Sequence, residues 1–306
     1  METDVTFVVP VYNGIPYVQE AVESILQQTN PHWRLLLVDD ASSDSSRSYL
    51  RTLRDHRVRV DFHDRNKGLY PTLVDAIESI KTGWVGILMQ DDRLKKNYLE
   101  EMLGAIRQYP GTRAIWATEN SIDGTGRLLH TGRDTSRVEP IPPGVAPWRG
   151  ILLRGCIWTI SGSLTTRSLF REVPFRRDLP HCGDYEWLLR AIRRAEFIFY
   201  ERPLVEIRLH SGQASTGNLR SARDLDEQLQ VLRENFSRHP DDAVWGQRAM
   251  ICWRRSGLIF RRLLGSMVQM RLGYAARLAK HLFRSTLMGI SPRPPSVKPA
   301  VPIAIR

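Results

Sequence analysis

Apolar and polar positions take turns along the first 120 residues in two alternating periods. Val5-Thr6-Phe7-Val8-Val9-Pro10 is a short β-branched run, the pattern of a buried parallel strand. Tyr17, Val18, Ala21, Val22, Ile25 and Leu26 then recur at helical spacing. Residues 33–38 read as a second strand closed by Asp39-Asp40, and Ser42, Ser43 and Asp44 are N-cap candidates for a helix over 45–54. The alternation continues with a strand at 58–62, a helix over 69–81, a strand at 84–89, a helix over 96–109 stopped by Pro110-Gly111, and a strand at 113–118. Strand and helix taking turns at this spacing predict an α/β fold with a mostly parallel central sheet and right-handed crossovers.

Beyond residue 120 the pattern changes. Asp123-Gly124-Thr125-Gly126 has the composition of a hairpin turn. Residues 136–148 are rich in Pro and Gly and read as a loop. A helix is expected over 184–194, strands at 197–200 and 204–209, and a helix over 221–238. Residues 244–288 are apolar and basic at helical spacing, with Trp253, Ile259, Phe260, Leu263, Leu264, Met267 and Met270 among arginines. Residues 291–306 hold five prolines and read as a loose terminus. The boundaries drawn are 1–240, divided near 120, and a basic helical extension at 241–306.

Composition refines this picture in three ways. With 42% hydrophobic and 25% charged residues the chain is an ordinary folded protein. The first 240 residues are close to neutral, because the segment from Asp241 carries +10 of the net charge of +11. Three widely spaced cysteines fit free thiols in a reducing compartment; neither a signal peptide nor a spanning helix is expected. The extension then has three readings: a membrane-surface element, a nucleic-acid binder, or a helical cap with a solvated Arg face. The first is preferred over nucleic acid, since its arginines lie among Trp, Phe, Leu and Met.

Ligands of open α/β sheets bind at the carboxyl ends of the strands. There the sequence gathers carboxylates from two strands, Asp39-Asp40 and Gln90-Asp91-Asp92. Such a gathering is costly unless a cation or hydrogen-bond donors share the site. Adjacent acids by themselves more often make a helix cap or a turn, but at the end of the fourth strand of this pattern they suit a hard divalent cation that also grips a diphosphate. Asp39 suits a bond to a base imide N–H or a ribose hydroxyl, or else a cap; Asp40 reads as structural. Asp184, in Cys182-Gly183-Asp184-Tyr185-Glu186-Trp187, opens a helix and is either a simple N-terminal charge or a proton acceptor. His210 follows a strand, where a lone histidine is more often structural than a ligand.

Taken in order, these residues resemble family 2 of the glycosyltransferases, with a GT-A type nucleotide-binding fold. Val8-Val9-Pro10-Val11-Tyr12-Asn13-Gly14 resembles that family's opening, Leu37-Val38-Asp39-Asp40-Ala41-Ser42-Ser43-Asp44 its base-binding loop, and Gln90-Asp91-Asp92-Arg93-Leu94 its metal-binding segment. The resemblance covers residues 4–215 and divides 1–240 into a nucleotide-binding half and an acceptor half. It implies that Asp39 contacts the base while Pro10, Tyr12 and Asn13 shape the nucleotide pocket. It implies that Asp91 and Asp92 serve Mn²⁺ or Mg²⁺ and the diphosphate, and that His210, in an Arg-x-His element, closes over either. Asp184 would be the general base of an inverting hexosyl transfer. The sequence departs from the pattern at Met89 and Gly183, where acids are common, and at Pro71-Thr72-Leu73, where an Arg is expected; Lys67 or Arg65 would then meet the diphosphate.

The implied partners are a UDP-, GDP- or dTDP-sugar and a glycan or lipid-linked acceptor bordered by residues 140–182, including Trp148, Trp158 and Ser161-Gly162-Ser163. The implied setting is the cytoplasmic face of the cell membrane, in surface-polysaccharide assembly, with no role for nucleic acid. Two rivals remain. A sugar nucleotidyltransferase wants a Gly- and basic-rich loop after strand one, where this chain has Tyr12-Asn13-Gly14-Ile15-Pro16. A degenerate, non-catalytic nucleotide-sugar scaffold draws on Met89 and Gly183, against the presence of Asp39, Asp91, Asp92 and Asp184 together.

Overall fold

The computed structural model describes residues 4–154, 156, 158–213, 223–240, 251–252, 256, 259–260 and 272–290. The chain divides into two compact units, residues 1–148 with 156–211, and residues 149–155 with 212–306.

The first unit is built on one sheet. Its elements begin β1 (Val5–Val11), α1 (Tyr17–Leu26), β2 (Trp33–Asp39), α2 (Ser46–Leu50), β3 (Val58–Phe62), α3 (Leu69–Ser79) and β4 (Trp84–Ile87). They continue with β5 (Arg93–Leu94), α4 (Tyr98–Gln108), β6 (Ala114–Asp123), β7 (Leu128–His130) and β8 (Arg137–Ile141). After α5 (Val145–Arg154) come β9 (Ser163–Thr166), α6 (Arg167–Glu172), α7 (Gly183–Ala191) and β10 (Phe197–Leu209). The strand order is β3-β2-β1-β4-β9-β6-β10-β5, with β7 beside β6 and β8 beside β10. β1 runs parallel to β2 and β4, β2 to β3, and β6 to β10. The sheet is therefore mostly parallel, as the alternation of elements predicts.

Strand alternation divides the core. Val5, Phe7, Val9 and Val11 of β1 and Leu35 and Leu37 of β2 share one buried cluster with α1 and with Tyr98, Leu99 and Met102 of α4. The intervening Val8, Leu36 and Val38 are buried on the other face. There α3 packs on β1 and β2 and buries Leu73, Val74 and Ile77.

Three expectations need correction. Residues 136–148 are not a loop: they contain β8 and the start of α5. Pro140 is tolerated because β8 pairs only with β10, and Pro147 because it stands in the first turn of a helix. The two short strands at 197–209 are one strand, β10, whose register shifts around Pro203 absorb the proline. β9, antiparallel to both β4 and β6, was not expected at all. It has one aliphatic side chain among hydroxyls, yet Ser163, Leu164 and Thr165 are all buried.

In the second unit α8 (Arg223–Arg238) and α9 (Leu272–Ile290) are the long helices among the described residues. Leu225 of α8, Ile259 and Leu278 of α9 form a small cluster joined by Leu282. Asp226 accepts from Arg284 at 3.2 Å. The opposite stripe of α9, with Arg277, Lys280, Phe283, Arg284 and Leu287, is exposed. Trp253, Leu263, Leu264, Met267, Met270 and the proline-rich terminus at 291–306 lie outside the described residues. Among the described residues no helix is long and apolar enough to cross a membrane.

β9 begins at a position that only glycine fills. Gly162 has φ +71°, and a Cβ there would lie 2.2 Å from Val205 Cγ2. Its N–H donates to the Ile87 carbonyl at 2.7 Å, and its own carbonyl accepts from the Tyr98 hydroxyl at 2.8 Å. Gly162→Ala should destabilise the protein by at least about 2 kcal/mol, read as a lower urea midpoint at unchanged slope.

Candidate functional site

The carboxyl end of β2 opens the site. Asp39 pairs in register with Val11 and is fully buried. Its Oδ2 lies 2.9 Å from Arg47 Nε and accepts weakly from the Ser42 N–H at 3.3 Å, whereas its Oδ1 is buried with no hydrogen-bond partner among the described residues. Asp40 has the structural role expected of it: its carboxylate accepts from the backbone N–H groups of Lys67 (2.9 Å) and Gly68 (2.8 Å) and lies 2.8 Å from His63 Nδ1. Ala41 follows with φ +62°, a strained conformation for a residue with a Cβ.

The end of β1 is tied to this loop. Asn13 has φ +51°, and its Oδ1 accepts from the Ser43 N–H (2.8 Å) and the Asp44 N–H (3.3 Å). Asn13 therefore shapes the loop through hydrogen bonds, Pro10 is buried inside β1, and the ring of Tyr12 is exposed. The Gln90 side-chain amide accepts from the Tyr12 N–H at 2.8 Å and donates to the Tyr12 carbonyl at 3.1 Å. It stands in for a peptide group where β4 has already ended, and so joins the ends of β1 and β4.

Asp91 and His210 meet here: Asp91 Oδ2 lies 3.2 Å from His210 Nε2. Asp92 is buried, and its Oδ1 accepts from the Arg208 N–H at 2.9 Å. Burial pushes its carboxyl up to about 7, opposed by hydrogen bonds from Ser161 and the Arg208 backbone and reinforced by the charge of Asp91. Met89, where an acid was expected, donates its N–H to Ser161 Oγ at 3.1 Å.

One residue that sequence reasoning passed over holds this edge together. The Arg208 side chain is fully buried. Its Nε donates to the Asp91 carbonyl (2.9 Å), its Nη1 to the carbonyls of Asp123 (3.3 Å) and Gly124 (3.4 Å), and its Nη2 to Glu20 (2.6 Å). The guanidinium lies 4.7 Å from the centroid of Tyr17, whose ring also stands 4.6 Å from that of His210. Glu20 is shared with Arg93 at 2.9 Å, and Arg93 also pairs with Glu206. An Arg-x-His signal was visible in the sequence, but its first member read only as part of a motif.

Asp184 stands in the first turn of α7. Its backbone N–H donates to the Tyr70 hydroxyl at 3.0 Å, and its Oδ1 accepts from the Tyr185 N–H at 2.7 Å. Burial raises its carboxyl above the usual 3.8, against those hydrogen bonds. Gly183 is explained by the same tyrosine, since a Cβ there would lie 2.7 Å from the Tyr70 ring. Lys67 turns to Asp75, with Nζ 2.9 Å from Oδ2, and the other oxygen of Asp75 takes Arg177 at 2.6 Å. Trp148 and Trp158, expected to border an acceptor, are buried; Trp158 stacks on Trp187 with centroids 4.7 Å apart.

The donor set bears on a cation. Among the described residues no three His, Cys, Asp or Glu side chains converge to hold an ion by themselves. Asp91 Oδ2 and His210 Nε2, at 3.2 Å, do match adjacent ligands of an octahedral ion, which at ligand distances of about 2.1 Å lie about 3 Å apart. Mg²⁺-type sites commonly use one or two protein ligands and substrate phosphates, so the residues present fit a set that a diphosphate completes.

Arg208→Met should cost about 3 kcal/mol, because it strands three carbonyls and leaves the Glu20 carboxylate to Arg93 alone. Chemical denaturation would measure this, and Arg208→Lys should recover only part of it, since an ammonium cannot reach all these acceptors at once.

Comparison with known proteins agrees with this fold. The model of the family described as "Glycosyl transferase family 2" matches residues 6–174. A putative teichuronic acid biosynthesis glycosyltransferase, TuaG of Bacillus subtilis, is 35% identical over 101 residues, 32% of this chain and 40% of that protein. The succinoglycan biosynthesis protein ExoO of Rhizobium meliloti is 33% identical over 139 residues, 44% of this chain and 39% of that protein. The chain thus spans well under half the length of these curated relatives. Among solved structures, S. aureus TarS 1-349 in complex with UDP-GlcNAc superposes with a TM-score of 0.66 at 13% identity, covering 92% of this chain and 81% of that one, which establishes the GT-A type fold. With the family model matching more than half of its length, the chain belongs to glycosyltransferase family 2.

Proposed function

We propose that this protein transfers a sugar from a nucleoside diphosphate sugar to a hydroxyl of a glycan or lipid-linked acceptor in cell-surface glycan assembly, with inversion at the anomeric carbon. The observation that carries the reading is the orphaned Oδ1 of Asp39 at the carboxyl end of a parallel strand. A buried acceptor left unpaired costs about 1–3 kcal/mol, and a base imide N–H or a ribose hydroxyl supplies the missing donor. The exposed ring of Tyr12, one residue beyond the partner of Asp39, suits stacking on the base. The names of TuaG and ExoO support a surface-glycan setting, and the UDP-GlcNAc of the TarS complex supports a nucleotide-sugar donor.

Asp91 and His210 would hold Mn²⁺ or Mg²⁺, with Asp92 beside them. The ion, when bound, supplies Lewis-acid stabilisation of charge on the departing diphosphate. Asp184 takes the proton of the acceptor hydroxyl. The acceptor oxygen bonds to the anomeric carbon as the bond to the diphosphate breaks and its electron pair leaves with phosphate. A base with a pKa raised by burial is better matched to that proton than an ordinary aspartate. Lys67 reaches the diphosphate only by giving up Asp75. The exposed stripe of α9, Arg277 and Lys280 with Phe283 and Leu287, suits an anionic membrane surface at the cytoplasmic face.

Calorimetric titration with UDP, GDP and dTDP, each with and without Mn²⁺, should show metal-dependent binding of one of them. Asp39→Asn should weaken it at least about tenfold, because the amide oxygen turns to Arg47 and its NH₂ takes the place of Oδ1. Folded protein that binds none of the three would overturn the reading in favour of a non-catalytic scaffold.

Asp184→Asn should lower kcat by about 10²–10⁴ with nucleotide affinity unchanged; wild-type turnover in this variant would remove Asp184 from the mechanism. The base works only when ionised and its pKa is raised, so activity should fall with decreasing pH through a value above 3.8. Flotation with phosphatidylglycerol vesicles should drop for Phe283→Ser/Leu287→Ser, and equal flotation would sink the membrane reading.

A further inference from the structure

The opposite, amino-terminal edge of the sheet carries a second concavity. α3 stops at Ser79 and leaves the start of β1, β2 and β3 uncovered on its face. Strand register lays the residues of that face side by side: Thr6 pairs with Arg34, and Leu36 pairs with Arg59. Where α3 covers the sheet this face is apolar, and where it does not the face turns cationic. The result is a cleft of about 480 Å³ whose rim includes Arg34, Arg57, Arg59 and Lys81. That volume lies in the range of small-molecule sites.

The cations differ in kind. Arg57 is held rigidly: it forks onto Asp55 at 2.7 and 3.1 Å and lies 3.7 Å from the centroid of Trp33. Arg59 is likewise forked onto Asp61. Each keeps N–H donors unused by its aspartate. Arg34 and Lys81 are exposed and have no carboxylate partner among the described residues. Among the described residues Asp4 is the one acid lining the cleft. The carbonyl end of α3, which would repel an anion, is covered by Arg167, whose guanidinium donates to the carbonyls of Ile77 (3.4 Å) and Glu78 (3.1 Å). Thr6 and Thr82 add a hydroxyl pair, 2.8 Å apart.

We infer that this cleft is a binding site for a phosphate-bearing ligand, separate from the nucleotide edge, in which Arg34 and Lys81 supply the unneutralised charge and Arg57 and Arg59 supply fixed donors. Two cations that line one concave, partly apolar volume repel each other less when a dianion is bound there, and a phosphate accepts from guanidinium in a forked geometry.

The test uses the full chain without divalent metal. Inorganic phosphate is titrated calorimetrically into wild type, Arg34→Gln/Lys81→Gln and Asp39→Asn, with folding of each checked by circular dichroism. Saturable binding that falls at least about tenfold in the double variant and is unchanged in Asp39→Asn is expected. Absence of binding, or binding that survives the double variant or is lost in Asp39→Asn, overturns the inference. Flotation with phosphatidylglycerol against phosphatidylcholine vesicles distinguishes the source. Reduced flotation of the double variant identifies a lipid headgroup, and unchanged flotation alongside lost phosphate binding identifies a free phosphate.

Discussion

A guanidinium with no access to water must have its N–H groups met by protein, and in this fold Arg208 imposes that demand on three other chain segments at once. Its acceptors come from the segment after β4, the turn between β6 and β7, and α1, while it stands at the end of β10. The desolvation of the cation is offset because each acceptor is placed, not because any single bond is strong. Glu20 serves two arginines, and Arg93 brings in Glu206, so two cations and two carboxylates form a neutral set. The backbone of Arg208 fixes Asp92, its guanidinium fixes the carbonyl of Asp91, and two residues on His210 faces Asp91. The acidic edge is arranged by one basic side chain that never needs to touch a ligand.

A second chain of contacts runs from the other carboxylate loop to the candidate base. Asp40 fixes the N–H groups of Lys67 and Gly68, and Gly68, with φ +88°, starts α3. The second residue of α3 is Tyr70, whose hydroxyl accepts from the Asp184 N–H and whose ring occupies the space over Gly183. Asp184, 145 positions from Asp39 in the sequence, is thereby referenced to Asp40, the residue next to Asp39. Sites built in this way hold their groups by hydrogen bonds made before a ligand arrives, which lowers the reorganisation that binding requires.

What was legible in the sequence followed from local periodicity. β1, β2 and β4 were readable because buried parallel strands are largely apolar runs, β3 because Val58, Val60 and Phe62 alternate with Arg59 and Asp61, and the helices because they carry an apolar face. The acids at their ends were readable because strand ends are where such folds keep polar groups. β9 was not, since a strand of hydroxyls becomes buried only through neighbours supplied by β4 and β6, and those are distant in sequence. β8 was hidden because prolines that forbid a central strand are harmless on an edge. The departures at Met89 and Gly183 looked like losses of catalytic acids. The structure gives Gly183 a steric reason in the Tyr70 ring, which a single sequence cannot contain, whereas the Met89 side chain has no structural explanation. Arg208 reads as one arginine among many until burial singles it out.

Electrostatics links the two halves of the proposed chemistry. Asp92 is buried beside another acid, and its carboxyl is pushed up to about 7 mainly by the loss of water. Loss of water therefore disfavours the charged form of that carboxylate in the protein alone. A divalent cation would favour full ionisation, and a diphosphate would supply the ligands that Asp91 and His210 leave unfilled. On this reading each of the two improves the site for the other, and linkage requires that effect to be equal in both directions. An edge with one or two protein ligands is then no defect. Under the proposed mechanism the cation would bind well only when the nucleotide is present, so the site would be complete only when there is a leaving group to stabilise.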